Sequence, residues 1–409
     1  MGILIYECEN FGNINADGNY VGGIIGWANS GGTNNQVTGA LRGCCNHGTI
    51  TTKDTADYVG GLAGYGKYMK IDSPSNVSDV RGRDYIGGIA GYCNYILVDG
   101  YTNSVSVTGR NYVGGIVGAS DSKCQVKNCI GTGTVDATGN YVGGLIGSCK
   151  TNCDIINCKT ETVTTVTGAG YVGGIVGYVD CGVNGFMEEI TNNAIVNGTG
   201  DRVGGIAGYS NIESSYLLNN GQVSGGDQVG GLAGYKQNTI RSSKNLGYIS
   251  GTGSTGGLVG KSCGIIINSL NNANVVSTTG ACGGIIGTEY TLETDPSEIY
   301  NCYSVGNVNG AAGKTSTIAG VYVDSYTMYS VFTTASSRIN GVAVPASNNP
   351  PSTSFIGDLT VPGNPDTSYC FAANTFRINM TWETEWNSTV WSSLNTGRLP
   401  QLIKCGSSL

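Results

Sequence analysis

The phrase Tyr112-Val113-Gly114-Gly115-Ile116-Val117-Gly118 constrains this chain more than any other feature, because near copies of it run through most of the sequence. Its Gly-Gly pair begins at Gly22, Gly60, Gly87, Gly114, Gly143, Gly173, Gly204, Gly230, Gly256 and Gly283, with an altered copy at Ala319-Gly320. Neighbouring copies start 26 to 38 residues apart. A unit of that length cannot bury its own apolar face and must stack on its neighbours, which is the logic of a solenoid.

Two further ladders share the period. Ile14, Ile50, Val80, Val107, Val135, Val166, Val196, Val223, Ile249, Val276 and Val308 precede successive Gly-Gly pairs, and such β-branched side chains favour a pleated, buried column. Val126, Ile155, Ile190, Leu217, Ile240, Ile266 and Ile299 mark a third short segment. Three short strands per repeat, joined by turns rich in Asn, Asp and Gly, predict an all-β parallel β-solenoid (β-helix) of about eleven coils of 26–38 residues, with an irregular C-terminal cap. The solenoid is expected over residues 1–320. A worn last coil and Pro-rich connection should follow over 321–366, and a cap built on Trp382, Trp386 and Trp391 over 367–409.

Within the phrase, the residue two after the first glycine is always Ile or Leu, from Ile24 to Ile285, and should face the core. Strand alternation then turns Val113 and Val117 outward. That outer face, small and apolar, is expected to be covered by another coil face, an appended segment or a second chain. Before the phrase stand Tyr20, Tyr58, Tyr85, Tyr112, Tyr141 and Tyr171, a column of aromatic rings. One position earlier, Asn19, Asp57, Asp84, Asn111, Asn140, Asp201 and Asp227 are predicted to form Asx turns with φ > 0.

Composition narrows the function. A net charge of -7 and the lack of a basic stripe oppose nucleic acid, which is gripped by clustered Lys and Arg. Charged residues are only 12% of the chain, as suits a stack in which a repeated charge would face its own copy. No apolar run is long enough to cross a bilayer, and the N-terminal residues lack the pattern of a signal peptide. Residues 3–14 already read as a coil, so a processed or longer chain is expected.

Fifteen cysteines suit an oxidising compartment. Equivalent positions on neighbouring coils predict disulfides between Cys124 and Cys153, Cys129 and Cys158, and Cys8 and Cys44, with Cys370 and Cys405 stapling the cap. Sequons at Asn76, Asn197, Asn379 and Asn387 are glycosylation candidates. No paired CxxC framework with histidines is present, so no zinc or other metal and no cofactor is expected. A His-Glu-x-x-His zincin motif is absent and His47 is the sole histidine, which opposes a triad as well. These residues predict no enzyme.

The phrases Tyr-Val-Gly-Gly-Ile-Val-Gly-Tyr at 171–178 and Asn301-Cys302-Tyr303-Ser304-Val305-Gly306-Asn307-Val308 resemble the GLUG-repeat proteins, over roughly residues 5–320. GLUG repeats occur in adhesin-like surface proteins and in the non-catalytic parts of IgA-cleaving metalloproteases. The resemblance implies an extracellular or cell-surface structural or adhesive rod. The alternative is a carbohydrate-binding or carbohydrate-processing β-helix that uses the tyrosine column. Partners would be other subunits or flanking chain at the N-terminal end, and a cell-surface glycan.

Overall fold

The computed structural model describes residues 2–31, 38–289, 298–321, 327–329, 331–333, 337–343, 356–358, 391–392 and 401–402. One coil shows the plan: strands Asn111–Gly114, Val117–Lys127, Ile130–Gly131 and Val135–Ala137, separated by bends. Each pairs in parallel with its equivalent one turn later, as Val113 with Val142, Val117 with Ile146, Ile130 with Lys159 and Val135 with Val166. The Val-Gly strands form one 11-stranded sheet, the β-branched ladder from Val80 onward lies in another, and the longer strands form a 26-stranded sheet. The chain is a parallel β-solenoid.

Ile14 pairs with Ile50 in a separate two-stranded sheet, and from Val80 onward the ladder registers as expected except at one place. Ile249 pairs with Val275, and Val275 with Val308; the predicted Val276 lies one residue off and is only half-buried. Adjacent valines satisfy the pattern equally well. The hydrogen bond from Val275 N–H to the Asn307 carbonyl, 2.9 Å, selects the first.

The Gly-Gly phrase is where the structure departs most from strand alternation. The strand stops at Gly114, bends through Gly115 and Ile116, and restarts at Val117. Because of that bend, neither valine faces outward. Val113 joins Val107 and Val135 in one apolar cluster, while Ile116 and Val117 join Val126 and Leu145 in another. The phrase therefore feeds two cores. Ile116 and its equivalents from Leu62 to Ile285 are fully buried, as predicted.

The cover over the glycines is backbone of their own and adjoining coils. An added Cβ at Gly114 would stand 2.1 Å from the Val117 carbonyl oxygen, at Gly115 2.2 Å from that of Gly144, and at Gly118 2.4 Å from that of Gly91. These neighbours are backbone and cannot rotate away.

A polar ladder runs inside the stack. Asn46, Asn76, Asn103, Asn192, Asn219, Asn245 and Asn271 are buried, each four residues before its ladder Val or Ile. The Asn219 side-chain amide donates to Asn245 Oδ1 at 2.8 Å and to the Gly221 carbonyl at 2.9 Å, and Asn192 donates to Asn219 Oδ1 at 2.8 Å. Such bonds satisfy buried carbonyls at a corner where the strand ladder cannot.

Lys236 is a second buried polar group. Its Nζ donates to Ser210 Oγ and Ser214 Oγ, both at 2.9 Å, and to the Ile212 carbonyl. Burial lowers its pKa to about 7, outweighing the opposing pull of Glu213.

Two predictions follow from this packing. Gly115→Val should lower stability in urea melts by at least the roughly 1–3 kcal/mol typical of overpacking. Gly18→Ala, which meets nothing within 4 Å, should be close to neutral. For Lys236, the unfolded chain holds a proton between about pH 7 and the ordinary lysine value of 10.5 while the folded chain does not. Stability should therefore rise with pH through that window, and Lys236→Met should remove that part of the rise in urea midpoints.

Candidate functional site

The most distinctive surface is a two-column aromatic strip. Its first column is Tyr20, Tyr58, Tyr85, Tyr112, Tyr141 and Tyr171, with successive ring centroids 4.9, 4.7, 4.5, 4.6 and 4.8 Å apart. Each of these tyrosines is left-handed, with φ between 52° and 66°, and Arg202 and Gln228 continue the conformation at 64° and 55°. Positive φ thus falls on the tyrosine itself, one residue later than predicted. It costs roughly 1–2 kcal/mol per residue. Stacking, at roughly 0.5–1.5 kcal/mol per pair on two sides, is of the size needed to offset it.

The preceding Asx residues reach across coils instead of closing local turns. Asn111 Oδ1 accepts the Asn140 N–H at 2.9 Å, Asn19 Oδ1 that of Asp57 at 2.9 Å, and Asn140 Oδ1 that of Gly170 at 2.9 Å. Asp57 also binds Arg83, and Asp84 binds Arg110, through paired hydrogen bonds. Partial burial pushes the Asp84 carboxyl up, but bonds from Arg110 and Asn111 outweigh it and hold its pKa below the ordinary value.

The second column was not anticipated. It comprises Trp27, Tyr65 and Tyr92, then Tyr178, Tyr209 and Tyr235, at one register of the long sheet. Ala119 and Ser148 occupy that register in the two intervening coils and leave a gap. The columns meet edge to face, as at Tyr85–Tyr92 (5.8 Å, 81°) and Tyr141–Tyr178 (5.7 Å, 89°). Beside the gap, Asp121 accepts the Tyr92 hydroxyl at 2.7 Å and lies 3.9 Å from Lys150 Nζ. Burial raises the Tyr85 phenol to about 12, so it remains a neutral hydroxyl near pH 7.

This geometry alters the glycan-contact ladder expected of the six tyrosines. Their flat faces cover one another, and the Arg202 guanidinium sits 4.6 Å over Tyr171. What a ligand would meet along the strip is ring edges and hydroxyls. At the gap, Tyr112 and Tyr141 stand where the neighbouring column is replaced by small side chains.

Other candidates scatter. His47 is exposed and stacks on Phe11 at 4.7 Å. Asn76 is buried and donates to the Ser78 and Gly88 carbonyls at 2.8 and 2.9 Å, so a glycan at this sequon is incompatible with the folded ladder. Asn197 is half-buried and accepts the Ser224 hydroxyl at 2.8 Å. Asn379, Asn387, Cys370, Cys405, Trp382 and Trp386 lie outside the described residues.

The predicted cysteine pairs share register, as Cys124 with Cys153, Cys129 with Cys158 and Cys8 with Cys44, yet these six cysteines are all thiols. Parallel strands keep equivalent Cβ atoms near the strand spacing of about 4.8 Å, while a disulfide needs about 3.5–4.5 Å. Cys124, Cys149 and Cys153 form a group that could hold a metal ion, their Sγ atoms all within 4.8 Å of one another and fully buried. Cys181, on the next coil, lies outside this three-sulfur group, but its thiol is near enough to interact with those of Cys149 and Cys153. Motif spacing did not disclose this group, because its members come from three successive coils. The shared register of Cys124 and Cys153, with Cys149 four residues earlier, was the available signal.

No protein-family model matches the chain, and no curated protein does. Among solved structures it is similar to a "putative immunoglobulin A1 protease from Bacteroides ovatus", at 19% identity and a TM-score of 0.40, over 76% of this chain and 78% of that one. The expectation that the chain is no enzyme is corrected by this finding, since the similar structure bears a protease description. At this level of likeness no activity passes to the chain.

Proposed function

We propose that the chain is a structural or adhesive rod of an exported, GLUG-like protein, presenting the aromatic strip outside the cell. The observation that carries this reading is the unbroken parallel stack, with a tyrosine column running along the outside of six consecutive coils. A surface with few charges and repeated rings suits contact with other macromolecules more than solvation alone.

The first coil supports a partner at that end. Of the thirteen exposed large apolar side chains among the described residues, six are Ile3, Leu4, Tyr6, Phe11, Tyr20 and Trp27. Strands Leu4–Tyr6, Glu9–Asn10 and Ile14–Ala16 each end their sheets, so their outer backbone groups are a template for further pairing. The occupant we favour is a β-coil of another subunit, docked end to end.

The second reading is glycan recognition at the gap beside Ala119 and Ser148, where tyrosine hydroxyls, Asp121 and Lys150 offer hydrogen bonds near ring edges. Immunogold labelling of intact source cells should decorate their surface; label appearing only after lysis would overturn the exported rod. End-to-end pairs in electron micrographs should disappear in a Leu4→Lys, Phe11→Lys variant. Persistent single particles of the unmodified chain at high concentration would reject the docked subunit. A glycan panel decides the second reading: saturable binding lost in Tyr112→Ala, Tyr141→Ala would support it, and no binding would refute it.

A further inference from the structure

We infer that Cys124, Cys149, Cys153 and Cys181 form a buried tetrathiolate site for one zinc ion, which clamps three successive coils together. Cys124 comes from strand Val117–Lys127, Cys149 from Ile146–Lys150 and Cys153 from Cys153–Ile156. Cys181 follows strand Val176–Asp180 and precedes the short 3-10 turn Gly182–Asn184. The link between Cys149 and Cys153 is made tight by left-handed Thr151 and Asn152, with φ of 61° and 52°. Both sulfurs thereby enter the same core.

Geometry favours a single ion. A tetrahedral centre with zinc–sulfur bonds of about 2.3 Å needs sulfurs about 3.8 Å apart. Three of the sulfurs already lie within 4.8 Å of one another, and Cys181 is the neighbouring thiol that interacts with two of them. The open edge runs between Cys181 and Cys124. Cys181 is also the most exposed member, at 7% against 0% for the other three, and its place at a strand end lets it close the shell. Soft thiolates in a tetrahedral set suit zinc better than calcium or magnesium, which take oxygen ligands.

Contrast with other buried cysteines sharpens the point. Cys129, Cys158 and Cys302 donate to the Lys127, Ile156 and Tyr300 carbonyls at 3.0, 3.2 and 3.1 Å. Each has a backbone acceptor, and Cys129 and Cys158 interact with one another as a pair, whereas Cys302 stands alone. Cys124, Cys149 and Cys153 instead gather as a group of three, with Cys181 beside them. Ser120 adds an independent sign: it pairs in register with Cys149 and with Cys93, is fully buried, and its hydroxyl has no hydrogen-bond partner. A thiolate at Cys149 would supply an acceptor, the role such outer groups play around metal ligands. Binding balances as one Zn²⁺ plus four thiols giving a tetrathiolate of charge -2 and four released protons.

The test uses the full chain, purified with a thiol reductant and reconstituted with Zn²⁺ or Co²⁺. One zinc per chain is expected by elemental analysis, with four protons released. The Co²⁺ form should show the thiolate charge-transfer and visible bands of a tetrahedral tetrathiolate. Cys302→Ser should keep both signatures, whereas Cys149→Ser with Cys181→Ser should lose the stoichiometric ion and the zinc-dependent rise in melting temperature. Because that double variant could fail to fold, the cobalt spectrum of the unmodified chain is the primary readout. Absence of the tetrathiolate spectrum in folded protein would overturn the site. So would zinc retained equally by a folded double variant, or peptide maps showing disulfides among these four cysteines in protein purified without reductant.

Discussion

The close approach of backbone to backbone at the glycine columns is the constraint on which the stack depends. At Gly114, Gly115 and Gly118 a methyl group would collide with carbonyl oxygens in its own or an adjoining coil. The bend at Gly115-Ile116 sends Val113 into one core and Val117 into the other. A larger residue at the bend would have to push coils apart along every ladder they share, since interiors packed at this density transmit strain. Glycine repetition therefore sets both the pinch between the cores and the regular rise of the solenoid.

Stacking one coil on the next gives every position a copy of itself as neighbour, and side chains that can bond their own kind are favoured there. Asparagine does so internally, its amide donating to the next Asn and to a corner carbonyl. It does so again outside, where Asn111 accepts the N–H of Asn140. The inner ladder breaks after Asn76, whose amide donates to the Ser78 and Gly88 carbonyls and leaves Asn103 Oδ1 without a partner; one coil later Gly131 takes the Asn register. Like charges gain nothing from such self-contact, which accounts for the low charge content and for the pairing of Asp57 and Asp84 with arginines.

Tyrosine exploits the same repetition at a cost. The column holds its residues in the left-handed region, a conformation that isolated tyrosines avoid, and ring stacking is the compensating interaction. Once the rings cover one another, the strip offers edges and hydroxyls, so its chemistry differs from that of an aromatic platform. The interruption at Ala119 and Ser148 is then the place where its second column breaks.

The period, the parallel solenoid, the buried Ile or Leu of each phrase and the tyrosine column were all legible in the sequence, because each repeats at fixed spacing and burial follows from recurrence. The inner asparagine ladder was equally periodic, and its polarity concealed that it is buried. Tertiary structure alone decided the rest. Alternation predicted Val113 and Val117 outward, but the bend at Gly115 rotates the chain between them, and side-chain direction beyond a bend does not follow from period two. The choice of Val275 over Val276 rested on one interstrand hydrogen bond. Asn76 carried a sequon that only its burial disqualifies. The four-cysteine group unites residues from three coils, and contacts across a stack depend on register and corner geometry, which spacing along the chain does not encode.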